Sequence, residues 1–183
     1  MAGRSARALG YGMLDRDHLT KHLLQLAQRV GVEKVTMRAL ALEAGTSASS
    51  VYYHVAGKDE LLDLLIEAVV NSIEVPTRGD WEARLVTLYL NAWRALVSVR
   101  GVAALLQQRP HTAAAANMDR STRSILSEAA LPKREFAAAY ALLYVHLLGS
   151  VELEHHRAEP GTRRAETVFR DGLRIILNGV RHA

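Results

Sequence analysis

The chain has 183 residues and no cysteine. Disulfides and thiolate metal sites are therefore excluded. Only 4 prolines and 12 glycines occur, too few for a fibrous or low-complexity chain. Aromatic residues make up 5%, and Val/Ile/aromatic runs with period-two alternation are missing, which argues against sheet. No uncharged apolar stretch of about 20 residues is present, as a membrane-spanning helix would need. The opening residues MAGRSARALGYG lack the apolar segment of a signal peptide. A cytoplasmic location is the default expectation. Signatures of catalysis are missing too: there is no Walker loop, no G-x-G-x-x-G and no H-E-x-x-H. The nucleophile pattern G-x-S-x-G breaks at its last position, in Gly45-Thr46-Ser47-Ala48-Ser49. An enzyme is not expected.

What is present is helical. Leu and Ala recur at spacings of three and four, so the expected fold class is all-α. The hydrophobic share of 49% and charged share of 23% suit a globular chain large enough to bury a core. The net charge of +4 and pI of about 9.6 are compatible with nucleic acid without proving it. Residues 1–13 read as a flexible arm whose Arg4 and Arg7 could reach phosphates or a minor groove. A first helix runs from the cap at Asp15 to Gly31, with Leu19, Leu23, Leu26, Ala27 and Val30 as its stripe. A fourth helix spans about 58–73, with Leu61, Leu62, Leu65, Ala68, Val69 and Ser72 inward. The Pro- and Gly-punctuated segment 75–79 is the best domain boundary. Further helices are expected at 80–99, 102–108, 111–130, 133–157 and 162–180. Phe136, Tyr140, Leu143, Leu147, Ser150 and Val151 form the eighth helix's seam, and Val168, Leu173, Ile176, Leu177 and Val180 face inward on the ninth.

The informative stretch is TMRALALEAGTSASSVYYHVAGK, residues 36–58. Thr36 can cap a short helix whose Met37, Leu40 and Ala41 share one face. Gly45 suits the left-handed geometry of a tight turn, and Ser47 can cap a second helix held down by Val51 and Val55. The opposite face of that helix carries Ser49, Ser50, Tyr53 and His54, with no carboxylate. A surface meant to meet the phosphates of DNA cannot carry uncompensated negative charge. Two short helices around a glycine turn form the helix-turn-helix pattern, whose second helix enters the major groove.

The segment Val51-Tyr52-Tyr53-His54-Val55-Ala56-Gly57-Lys58, followed by Glu60-Leu61-Leu62, resembles the N-terminal domain of the tetracycline-repressor (TetR) family. There a short recognition helix ends in Tyr-x-His and a Lys heads the fourth helix. The resemblance implies a helix-turn-helix domain over 14–57, a connecting helix over 58–74, and a ligand-binding and dimerisation bundle over 80–183. It implies DNA contacts by Thr36, Arg38, Thr46, Ser47, Ala48, Ser49, Ser50, Tyr52, Tyr53, His54 and Lys58. Thr36, Tyr52, His54 and Lys58 would hold phosphates, while Ala48, Ser49 and Tyr53 would face bases.

The C-terminal half is similar to the tetracycline-binding branch, from Asp80-Trp81 to Arg109-Pro110 and over Leu148-Gly149-Ser150-Val151-Glu152. That branch holds drug-bound magnesium with a sixth-helix His and an eighth-helix Glu. Here Leu105 takes the His position, so magnesium–tetracycline is not the expected effector and no cofactor or metal is expected. Glu152 and His156, with Glu154 and His155 nearby, make a metal-like cluster that reads better as solvated charge. An apolar effector cavity is expected instead between helices four to eight, lined by Leu88, Ala92, Leu105 and Met118. Asn91, Arg109, Tyr140, Tyr144 and His146 are its candidate polar contacts, although Arg109 could simply cap helix six and His146 could be a satisfied core residue. The expected partners are a palindromic operator in double-stranded DNA, a small apolar effector, and a second copy of the chain through the last two long helices. The alternative is a helical small-molecule-binding or catalytic bundle without DNA binding.

Overall fold

The computed structural model describes residues 15–157 and 160–182. The expected arm at 1–13, with Arg4 and Arg7, lies outside the described residues, as does Glu159 of the expected eight–nine loop. Helices are α1 (Arg16–Val30), α2 (Met37–Glu43), α3 (Ala48–His54), α4 (Lys58–Asn71), α5 (Trp81–Val97), α6 (Val102–Gln108), α7 (Ala113–Ser127), α8 (Lys133–His155) and α9 (Arg163–Arg181). One 3-10 turn, Val32–Lys34, follows α1, and no strand occurs among the described residues.

Side-chain caps start most of these helices. The Asp15, Thr36, Ser47, Asp80, Thr112 and Thr162 side chains each accept the backbone N–H three residues on. Thr112 moves the start of α7 inward from the expected His111. At the other end of α4, Ser72 Oγ donates to the Val69 carbonyl at 2.6 Å and the chain leaves the helix there.

The core is continuous from α1 to α9. Helix α4 packs on α1 in the N-terminal half and on α7, α5 and α6 in the C-terminal half. Its buried side chains accordingly surround it: Leu61, Leu64, Leu65, Ile66, Ala68, Val69 and Val70. The single inward face expected for α4 is thus corrected, with Leu62 half-buried and Ser72 exposed. On α9 the stripe is Ala165, Phe169, Leu173, Leu177 and Val180, so Phe169 takes the place expected for Val168. Val168 is 63% exposed because it sits about 100° round the helix from that stripe. On α8 the expected Leu143, Leu147 and Val151 are buried, together with Ala139, Leu148 and Glu154.

A stack of rings crosses the C-terminal half. Trp93 of α5 lies 5.6 Å from Phe169 of α9, and His146 of α8 lies 4.8 Å from the same ring, nearly parallel to it. Gly172 makes this possible, since a Cβ there would fall 2.5 Å from His146 Cε1.

Polar contacts join α5 to α9. Arg94 donates to both Glu166 oxygens, Nε at 2.9 Å and Nη2 at 2.7 Å, and Arg170 adds a third bond at 2.7 Å. The Arg94 hydrogen bond holds the Glu166 carboxyl below its ordinary range, against a smaller opposing effect of burial. A depressed carboxyl stabilises the fold above its unfolded pKa, and that contribution disappears as pH falls through the folded value. Glu166→Gln should therefore lower the melting temperature at pH 7. The gap from the native chain should close below about pH 4, the ordinary carboxylate range. Thermal melts across that range check it, and a gap independent of pH would contradict it.

Candidate nucleic-acid interface and effector cavity

The turn between α2 and α3 is built as its sequence requires. Gly45 has φ +62°, and the Thr46 N–H donates to the Ala41 carbonyl at 2.9 Å, closing α2. Ser47 Oγ accepts the Ser50 N–H at 3.1 Å and lies within 2.9 Å of the Ser49 and Ser50 hydroxyls. Val51 and Val55 are buried and fasten α3 to the core on one side only. The other side stands out: Tyr53 is 86% exposed and Tyr52 55% exposed, so Tyr52 is no core residue. Thr36, Arg38, Ser47, Ser49 and Lys58 are exposed, whereas Thr46, Ser50 and His54 are half-buried. Ala48 is half-buried against the core, less open than a base-facing residue was expected to be. The Tyr53 and His54 rings meet edge to face at 5.2 Å. Leu42, at the end of α2, is 84% exposed and carried no signal in the sequence.

The carboxylates of α2 and of the first turn of α4 each have a basic partner. Arg29 pairs with Glu43, Arg16 lies 3.8 Å from Glu60, and Arg109 pairs with Asp59. Glu60 also accepts the Ala56 N–H at 2.7 Å. Individually such exposed pairs stabilise little. Together they remove negative charge that would repel a duplex, while Arg38 and Lys58 remain outward. No side chain caps α4, whose N-cap is Gly57, so Lys58 sits at a helix N-terminus with the free N–H groups that attract anions.

Above this head lies a cavity of about 380 Å³. Tyr89, Ala92 and Leu96 of α5 form one wall, and Ala115, Met118, Asp119 and Thr122 of α7 another. Tyr140, Tyr144, Leu147 and Leu148 come from α8, Val70 and Ile73 from α4 and its end, and Leu106 and Pro110 from α6 and the turn after it. Of the residues expected here, Ala92, Met118, Tyr140 and Tyr144 line it. The other five do not. Leu88 and Leu105 are buried in the core. Asn91 points away and donates to the Glu74 carbonyl at 3.0 Å. His146 Nε2 lies 2.9 Å from the Phe169 carbonyl, toward α9. Arg109 reaches the other way: it donates to the Asp59 carbonyl at 3.1 Å and to Asp63 Oδ1 at 2.8 Å, and pairs with the Asp59 carboxylate. Its backbone does cap α6, the N–H donating to the Leu105 carbonyl at 3.0 Å, but its side chain is a clamp on α4 and not a ligand contact.

The polar group that sequence reasoning missed is Asp119. The Tyr140 hydroxyl donates to its Oδ1, and Arg123 Nε lies 2.9 Å from Oδ2. Burial works to raise the Asp119 carboxyl, but the Tyr140 and Arg123 hydrogen bonds prevail and hold it below its ordinary range. Burial, with Asp119 beside it, pushes the Tyr140 hydroxyl up to about 12. The Tyr89 hydroxyl is pushed up by burial as well, with Thr122 as its hydrogen-bonding neighbour. Asp119 and Arg123 are four apart on a helix and read in sequence as a surface pair.

The metal-like cluster at the end of α8 does not converge. Glu152 pairs with His156 at 3.3 Å, Glu154 turns inward to Arg157 at 2.7 Å, and His155 Nε2 lies 3.2 Å from the Val97 carbonyl. Among the described residues no three His, Asp or Glu side chains gather to hold a metal ion.

Residues 20–65 match the family model described as bacterial regulatory proteins, tetR family. An HTH-type transcriptional regulator of Saccharopolyspora erythraea is 31% identical over 160 residues, covering 84% of this chain and 67% of that protein. The HTH-type transcriptional repressor DrrR1 of Streptomyces coeruleorubidus is 39% identical over 75 residues, 39% of this chain and 28% of that one. In structure, the Streptomyces coelicolor TetR family protein ActR in complex with (S)-DNPA shares the fold, with a TM-score of 0.72 and 22% identity over 92% of this chain and 98% of that one. The helical bundle without DNA binding is thereby set aside: the chain belongs to the tetR family of bacterial regulatory proteins and is a helix-turn-helix, DNA-binding transcriptional regulator, not an enzyme.

Proposed function

We propose that the chain is a cytoplasmic, homodimeric repressor that leaves a palindromic operator when a small, largely apolar effector fills the cavity. The observation that carries this reading is the outward face of α3, with Tyr53 86% exposed and no carboxylate on the helix itself. Thr36, Tyr52, His54 and Lys58 hold phosphates while Ser49 and Tyr53 meet base edges.

The dimer is supported by apolar surface left open on α8 and α9. Helix α8 is long and apolar enough to suit a bilayer, yet only 28% of its most apolar window is buried within one chain. Leu142, Val145 and Leu153 of α8 and Val168 and Ile175 of α9 are all exposed. A Cβ at Gly149 or Gly179 would meet nothing within 4 Å, which leaves room for a partner helix to approach closely. Two such helix pairs make a four-helix bundle. The paired α3 helices would then sit about one duplex turn, roughly 34–36 Å, apart.

Coupling runs through α6. Leu106 and Pro110 line the cavity, Arg109 between them holds α4, and at the other end the Val32 N–H donates to the Arg100 carbonyl at 2.9 Å. A ligand pressing on α6 therefore shifts α4 and the head attached to it. Differential binding to the displaced form moves the population off DNA. ActR, which shares the fold, is known in complex with a small molecule, and DrrR1 is named a repressor.

Fluorescence polarisation with a duplex enriched from a random pool tests the interface. Tyr53→Ala should weaken specific binding by about 1–3 kcal/mol. Lys58→Ala should reduce the slope of log affinity against log salt by about 1 for each protomer. A double variant with unchanged affinity and slope contradicts the interface. Arg109→Ala tests the coupling: amide exchange should rise in the first two turns of α4 but not in α8, and DNA affinity should fall. A folded Arg109→Ala protein with native DNA affinity contradicts this route.

A further inference from the structure

The cavity has one polar end, and its character is one-sided. Asp119 is the only charged side chain among the lining residues; Arg123, its partner, is not one of them. Arg123 instead sits with its guanidinium 3.9 Å from the centroid of the Tyr140 ring. The ion pair therefore turns its negative member toward the cavity. The Tyr140 proton is already donated to Asp119, so what that hydroxyl offers a ligand is lone pairs. The Tyr89 and Thr122 hydroxyls are neighbours in the same lining. Above this end the Tyr140 and Tyr144 rings run near-parallel, 17° apart with centroids at 6.5 Å, and offer flat aromatic surface.

We propose that the cavity takes a flat aromatic ligand bearing hydrogen-bond donors, neutral or cationic, with its donor on Asp119, and that it rejects carboxylate anions. This rests on the reading of the cavity as the effector site and adds its chemistry. An anionic head would face Asp119 with no lining cation to compensate it. An amine or phenol finds an ionised acceptor, which makes a stronger hydrogen bond than a neutral one.

Three probes of one tricyclic shape test it on the whole chain by titration calorimetry without DNA: 2,6-diaminoanthraquinone, proflavine and anthraquinone-2-carboxylate. The two amines should bind at least about tenfold more tightly than the carboxylate. Asp119→Asn should close most of that gap, and Met118→Trp, which fills the cavity, should abolish amine binding. Equal binding of the carboxylate, binding of none, a gap that survives Asp119→Asn, or amine binding that survives Met118→Trp overturns the proposal. The wild-type comparison stands whether or not either variant folds. The release reading is separated by adding 2,6-diaminoanthraquinone to a protein–DNA complex: binding with the expected selectivity but no DNA release sinks release and leaves the ligand class intact.

Discussion

The packing of α4 is the constraint on which the rest of the structure depends. A helix serving one small domain would bury a stripe and expose the remainder. This one buries Leu61 and Leu65 completely, and also Leu64, Ile66 and Val70, because α1 lies on one side and α5 to α7 on the others. Truncating a residue such as Leu65 in this setting costs roughly 2–5 kcal/mol. That is a large part of a typical domain's stability. The coupling proposed above runs through α4 because this packing fastens the head to the bundle. Density of packing makes such an element a transmitter, since a close-packed interior passes displacement on.

Electrostatics decides what the head can approach. Arg29, Arg16 and Arg109 lie against Glu43, Glu60 and Asp59. Each pair is exposed and weak as a stabiliser, but the set leaves α3 surrounded by neutralised acids. Arg109 has a double part in this. Its guanidinium removes charge from the first turn of α4, and its backbone ends the helix whose Leu106 faces the cavity. The same side chain thus links the start of α4 to the helix that forms one wall of the cavity.

The fold was legible because its signals are local. Asp15, Thr36, Ser47 and Asp80 cap the helices they precede, and Gly45 takes the left-handed turn its position demands. The exposed face of α3 followed from Val51 and Val55 alone, four apart. The cavity was less legible, because its lining depends on which side of each helix turns inward when five helices meet. Asn91 neighbours Ala92 yet points about 100° away, to a backbone carbonyl in the α4–α5 loop. His146 was a plausible polar contact until its ring was seen stacked on Phe169. Asp119 gave the opposite error: an acid four residues before an arginine reads as surface, and only the arrival of Tyr140 from α8 makes it the polar end of a cavity.

The central claim is that α3 stands clear of its own core and that two copies present it to one face of a duplex. The most direct measurement is selection and sequencing of the DNA bound by the intact chain from a random pool. The account predicts an inverted repeat whose half-sites have centres about 10–10.5 base pairs, one helical turn, apart. An enriched pool with a single half-site, a direct repeat or no sequence preference would contradict it.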